Sequence, residues 1–260
     1  MSRYKFISDK IAGGGHIYMP YVLLGYPDLE TSFAVAKTLI ESGVHGLEIG
    51  FPFRDPAADG PVIEKAGNIA IDNGFKVNDG FALIKKIRAL SNDIPLTLML
   101  YYNMVLARGI DKFFADCKDA GVDGVLIPDM PPERADTVLD AARANDVDLV
   151  FIAAPTTTAE RMDLIASVAG GFIYVVTRMG ITGTSEHYSD KLAALFSLIK
   201  SKTDLPAIAG FGVSTPEQAQ KMIAAGADGV ITGSKIVEMT TQNPDLISIH
   251  TQDMVKAVKG

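Results

Sequence analysis

Three segments of this chain repeat one another: ESGVHGLEIG at residues 41–50, DAGVDGVLIP at 119–128 and AAGADGVITG at 224–233. Each passes through a Gly-X-X-Gly turn from a helical stretch into a short apolar run. The first glycine is suited to close a helix in the left-handed conformation. The runs are apolar at successive positions instead of alternating with polar residues, as expected of a parallel strand buried on both faces. The repeat therefore reads as helix, turn, parallel strand.

The same kind of run recurs at YMPYVLL (18–24), PLTLMLYY (95–102), DLVFIA (148–153), FIYVVT (172–177) and PAIAG (206–210). Amphipathic stretches lie between most of them, such as GIDKFFADCKDAG and LETSFAVAKTLIESG. The latter places Phe33, Ala36, Leu39 and Ile40 at i, i+3, i+6 and i+7, a helical stripe. Eight such units in 260 residues predict an α/β fold, a (β/α)8 TIM barrel. The expectation is a single domain, 1–260, with an extra N-terminal helix. A doubly wound open sheet is the alternative. The repeated turns then enter strands two, four and eight.

Composition narrows the function. The net charge is −7 and the 24 Lys and Arg are scattered, which argues against nucleic acid or an anionic membrane as partner. A small anion is still allowed, because backbone amides bind phosphate without a basic patch. No apolar run approaches the ~20 residues of a membrane span. The N-terminal MSRYKFISDK has no continuous apolar segment behind it, so no signal peptide is expected. The lone Cys117 reads as a packed thiol, and a reducing cytoplasm is the default location.

In such a barrel the chemistry sits at the C-terminal ends of the strands. Strand two ends Leu47-Glu48-Ile49-Gly50, with Glu48 pointing opposite to its apolar neighbours. A carboxyl in that position is costly unless paired or used. Desolvation raises its pKa towards neutrality, which suits a general acid/base; a structural carboxylate is the other reading. The following loop carries Arg54, Asp55 and Asp59, stiffened by Pro52 and Pro56. Asp55 and Asp59 read as cap or turn residues as readily as site residues.

After strand six, Gly180, Thr182, Gly183, Thr184 and Ser185 make a polar loop that reads as a lid or as a plain surface loop. Gly210 and Gly212 after strand seven, and Gly233-Ser234 after strand eight, match the phosphate-binding position of these barrels. Ser214 or Thr215 is set to cap the next helix, with Pro216 in its first turn. His16, His45, His187 and His250 are dispersed without metal-ligand spacing. No Walker loop, nucleophile elbow or Schiff-base lysine at a strand end is evident. The residues alone describe a barrel enzyme acting on a small phosphorylated substrate through carboxylates, without a metal.

LEIGFPFRDPAADGP, LMLYYNMV, GVLIPDMPPE, FIYVVTRMGITG, AGFGVSTPEQA and ADGVITGS follow in this order, and together they resemble the tryptophan synthase α subunit from about Tyr18 to the last helix. The acidic loop is the specific element; the glycine turns are shared with other phosphate-binding barrels. The resemblance implies retro-aldol cleavage of indole-3-glycerol phosphate to indole and glyceraldehyde 3-phosphate. It implies Glu48 as acid/base, Asp59 as acceptor of the indole N–H, and Tyr174 lining the site. It assigns the phosphate to Gly183, Gly212, Gly233 and Ser234, the indole pocket to Leu100 and Phe211, and a lid contact to Thr182. Pro52, Asp55, Pro56 and Asn103 would face a β subunit in an allosteric α2β2 heterotetramer. Pyridoxal phosphate belongs to that partner, and no cofactor is expected in this chain. Phe51, Arg54, Ala57 and Met104 stand where that family usually has valine, serine, leucine and proline. A stand-alone lyase, a regulatory protein that keeps the barrel only to bind a β-type partner, and another phosphate-binding barrel are the competing readings.

Overall fold

The computed structural model describes residues 3–177 and 185–259, with the backbone alone for 185–189. Its strands are β1 Ile17–Leu23, β2 Leu47–Gly50, β3 Leu96–Met99, β4 Gly124–Leu126, β5 Asp148–Ala153, β6 Ile173–Val176, β7 Ala207–Gly210 and β8 Gly229–Thr232. They pair in parallel and in sequence order, and β8 returns to β1 through Tyr18 opposite Val230, closing the barrel. The open-sheet alternative is thereby excluded. The helices are α1 Tyr4–Ala12, α2 Leu29–Glu41, α3 Pro61–Asp72, α4 Val77–Arg88, α5 Tyr102–Arg108, α6 Ile110–Ala120, α7 Asp136–Ala144, α8 Ala159–Val168, α9 Ser185–Lys202, α10 Pro216–Ala224, α11 Ser234–Gln242 and α12 Ile247–Ala257. None of those described is long and apolar enough to cross a membrane.

Alternation along the strands divides the core into two layers. Tyr18, Val22, Leu47, Ile49, Leu98 and Val230 pack outward with the helices. Met19, Tyr21, Met99, Leu126, Tyr174, Ile208 and Ile231 fill the lumen. The extra N-terminal helix, α1, joins the lumen layer through Tyr4 and Ile7, and the Tyr4 hydroxyl lies 2.5 Å from the Thr97 hydroxyl on β3. Cys117 is fully buried in the outer layer, as a packed thiol.

The repeated turns have a common construction. Gly43, Gly121 and Gly226 adopt φ of +85°, +78° and +110°, so each helix leaves through a conformation that suits glycine. Between the glycines stand His45, Asp123 and Asp228. Each accepts a backbone N–H at the entry of the preceding strand: Tyr18 N to His45 Nδ1 at 2.9 Å, Leu96 N to Asp123 Oδ2 at 2.8 Å, and Ala207 N to Asp228 Oδ2 at 2.9 Å. The repeat is stability hardware at the end of the barrel remote from the expected site.

Candidate active site

β2 carries Glu48 across from Tyr21 on β1 and Thr97 on β3. Its neighbours Leu47 and Ile49 face the helices, so strand alternation turns Glu48 into the lumen. Glu48 is only 2% exposed, and its Oε1 has no hydrogen-bond partner. Burial raises its pKa to about 8, and the nearby Asp59 carboxylate adds to the rise.

Asp59 lies at the end of the β2–α3 loop. It does not cap α3: Gly60 stands at that position, and no side chain bonds to the first turn. Its Oδ1 is buried without a partner. Burial raises its pKa to about 6; the Tyr101 hydroxyl, as a hydrogen-bond donor, opposes the rise, and Glu64 adds to it. Each of the two carboxyl groups thus keeps one buried oxygen without a partner, and the field of Asp59 reaches Glu48.

Three tyrosines surround them. Tyr174 on β6 and Tyr21 on β1 are buried, and both are raised well above the usual phenol range, by burial first and then by the fields of Glu48 and Asp59. Their rings require space on adjacent strands. A Cβ at Gly210 would stand 2.1 Å from the Tyr174 hydroxyl oxygen, and one at Gly50 would stand 1.8 Å from that of Tyr21. Gly210 therefore admits Tyr174, and the close approach is by a side chain of this chain. Tyr101, at the end of β3, accepts the Ala58 N–H at 3.1 Å. Tyr21 and Tyr101 went unnoticed in the sequence; the register of YMPYVLL against LEIG was the only signal for Tyr21.

Phe211 meets the Tyr174 ring edge-on at 5.9 Å, and its φ of +60° is unusual for a residue with a side chain. It stays partly exposed at the lumen mouth. Leu100 requires a correction. It packs in the outer layer, and Met99, one residue earlier, stands in the lumen. The run PLTLMLYY is apolar on both faces and carries no signal of phase, and the pleat places Leu100 with Leu96 and Leu98.

Helices α10 and α11 follow β7 and β8, and their N-termini differ. α10 is closed by a capping box: the Thr215 hydroxyl accepts the Gln218 N–H, while Gln218 Oε1 accepts the N–H of Ser214 at 2.7 Å and of Thr215 at 3.2 Å. α11 begins at Ser234 after Gly233 with no side-chain cap; the N–H groups of Ile236 and Val237 bond back to the Gly233 carbonyl, and no capping side chain covers the positive dipole end at Ser234 and Lys235. Gly212, with φ of +90°, lies in the turn after β7. Thr182 and Gly183, and with them the lid reading, lie outside the described residues.

Of the four positions expected at a partner surface, Asp55 and Asn103 are exposed, Pro56 is half-buried and Pro52 is buried. Arg54 reaches back to Asp72 on α3 at 2.5 Å. Phe51 is buried in the outer layer between Phe75 and Phe81. A groove of about 730 Å3, lined by Arg3, Asp123, Arg143 and Asp148 among others, opens at the strand-entry end and includes none of the site residues.

A family model described as tryptophan synthase alpha chain matches residues 8–259. The tryptophan synthase alpha chain of Methanothermobacter thermautotrophicus is 42% identical over 229 residues, 88% of this chain and 84% of the relative. That of Methanoregula boonei is 40% identical over 95% of this chain and 94% of its own. Among solved structures, tryptophan synthase from Mycobacterium tuberculosis superposes with a TM-score of 0.91 at 32% identity, covering 100% of this chain and 99% of the other. The alpha subunit from Legionella pneumophila gives 0.89 at 30%, covering 99% and 98%.

Proposed function

The chain belongs to the tryptophan synthase alpha chain family and is a lyase of tryptophan biosynthesis that cleaves indole-3-glycerol phosphate, and we propose that Glu48 and Asp59 divide the chemistry between them. The observation that carries this division is the pair of unpartnered carboxyl oxygens, Glu48 Oε1 and Asp59 Oδ1. Glu48, with a pKa of about 8, is protonated at neutral pH and donates to indole C3. The resulting carboxylate removes the proton of the side-chain hydroxyl as the carbon–carbon bond breaks and the aldehyde forms. One proton enters and one leaves, so a single group serves both steps. Asp59, with a pKa of about 6, is ionised at neutral pH. It accepts the indole N–H and stabilises positive charge developing on the ring. Environments that push two carboxyl groups apart in pKa are the usual means of assigning such roles.

Tyr174 and Phe211 wall the indole, with Met99 as the lumen residue of β3. The phosphate is held by backbone amides at Gly212, Gly233 and Ser234, with the Ser234 hydroxyl available; Gly183 and Thr182 belong to this proposal from the resemblance alone. The uncapped α11 beside the self-capped α10 supports it.

Membership of the family implies a β-subunit partner. The finer proposal is an α2β2 heterotetramer in the cytoplasm, contacted through Pro52, Asp55, Pro56 and Asn103. Indole passes to the partner, whose pyridoxal phosphate joins it to serine. Leu106, 48% exposed on α5 near Asn103, is an apolar side chain suited to such a contact. We read the whole chain, 1–260, as one barrel domain.

Indole release from indole-3-glycerol phosphate tests the division of roles. Glu48→Gln and Asp59→Asn should each lower cleavage by about 100-fold or more while inorganic phosphate still binds. Cleavage that survives Glu48→Gln would refute the mechanism. Adding a β subunit to the wild-type chain should raise the rate; no rise would leave a stand-alone lyase.

A further inference from the structure

Tyr101 carries a role that the carboxylates alone do not explain. It sits between the end of β3 and the first turn of α5 and is only 3% exposed. Its ring stacks on Phe53 at 4.9 Å with an interplanar angle of 24°. Its hydroxyl oxygen accepts the Ala58 N–H at 3.1 Å. One side chain therefore grips the β2–α3 loop at two points, on either side of its exposed acidic tip.

The hydroxyl has one proton left to give after accepting from Ala58. The next residue in the loop is Asp59, whose Oδ1 is buried without a partner and whose helix start is formed by Gly60. Asp59 makes no cap bond to the first turn of α3. We propose that Tyr101 is the positioning residue for Asp59, anchoring the loop to the β3–α5 junction so that Oδ1 is presented to the substrate. The hydroxyl's effect on the carboxylate, lowering its pKa as a donor, agrees with that placement. The anchor also joins the Asp59 loop directly to the segment that bears Asn103, two residues further on. This inference rests on the assignment of Asp59 above.

The test is Tyr101→Phe, which keeps the ring and the stack and removes only the hydroxyl. Misplacement of a site group by about 1 Å costs up to ~100-fold in rate, so kcat for indole release should fall by about 10- to 100-fold. KM and inhibition by inorganic phosphate should stay near wild type. The acid limb of the pH profile should move upward, because the group that lowers the Asp59 pKa is gone. Phe53→Leu, which keeps the hydroxyl and removes the stack, should lower kcat several-fold with the acid limb in place. Wild-type kcat in Tyr101→Phe would overturn the proposal. So would a loss of phosphate inhibition together with kcat and an unmoved acid limb, since that marks general damage to the fold. Asp59→Asn run in parallel separates the two claims. If Asp59→Asn is inactive and Tyr101→Phe is unaffected, only the positioning role fails; if Asp59→Asn retains full cleavage, the underlying assignment fails.

Discussion

The backbone N–H of Tyr18 donates to Nδ1 of His45 at 2.9 Å, so His45 serves as an acceptor where Asp123 and Asp228 serve in the sister turns. A histidine accepting at Nδ1 is neutral, with its proton on Nε2. Protonation would break that bond in a site only 5% exposed, with Lys10 and Lys259 nearby. Burial first, then those two cations, lower the His45 pKa from 6.5 to about 4. The unfolded chain then binds a proton that the folded chain refuses, so stability is full above pH 6.5 and falls towards pH 4. The loss from this one group is at most about 3 kcal/mol. Chemical denaturation of the wild type and of His45→Asp from pH 7 to pH 4 checks it. The variant keeps an acceptor that the neighbouring lysines favour, and its stability should decline less over this window.

Glu48 gives the opposite dependence. Its pKa rises from 4.5 unfolded to about 8 folded, so the folded chain retains a proton that the unfolded chain releases. Stability from this group is complete below pH 4.5 and declines until pH 8. Gln in the same place does not ionise. Glu48→Gln should therefore be inactive yet more stable than wild type. The difference should be near zero at pH 4.5 and grow to a plateau of up to about 5 kcal/mol above pH 8. Urea midpoints at pH 5, 7 and 8.5 measure it; a variant less stable at pH 8.5 would show that Glu48 is stabilised by contacts instead of tolerated for chemistry.

The same two groups set the rate profile. With Asp59 required as carboxylate and Glu48 as acid, kcat/KM for indole release should be bell-shaped, with limbs near pH 6 and pH 8. The two carboxyls interact, so the limbs are macroscopic values of the pair. Replacing Asp59 by Asn should remove the acid limb from the residual activity. A profile flat from pH 5 to pH 9 would contradict both roles.

Much of this was legible in the residues, for identifiable reasons. The eight runs were continuous and bounded by glycine turns, and Glu48 stood out because a carboxyl in an apolar strand has few uses. Thr215 and Pro216 announced the start of α10. What failed was phase: Leu100 and Met99 are both apolar, and only the pleat distinguishes lumen from wall. Contacts across the sequence were also invisible. Nothing in the chain's order pairs Arg54 with Asp72, 18 residues away, or sets the Tyr101 hydroxyl against Ala58, 43 residues away. The acceptors His45, Asp123 and Asp228 were present in the repeat but readable only once each was seen to meet the preceding strand.

Phe51 illustrates how an unusual residue is accommodated. Where the resemblance leads one to expect valine, the phenyl ring lies 5.5 Å from Phe81 and 6.1 Å from Phe75, and it occupies the space beside Gly80 on α4. A Cβ on Gly80 would stand 2.4 Å from Phe51 Cε1. Gly80→Ala alone should thus destabilise, despite a helix propensity gain of about 1 kcal/mol, because two rigid rings must shift. Phe51→Val alone should cost about 1–3 kcal/mol through the space it leaves. In the double variant the alanine methyl enters that space, and the two effects should compensate. The expected result is a favourable coupling of about 1–3 kcal/mol in a double-mutant cycle read by urea denaturation. Additive effects would mean that Phe51 and Gly80 do not share one packing site.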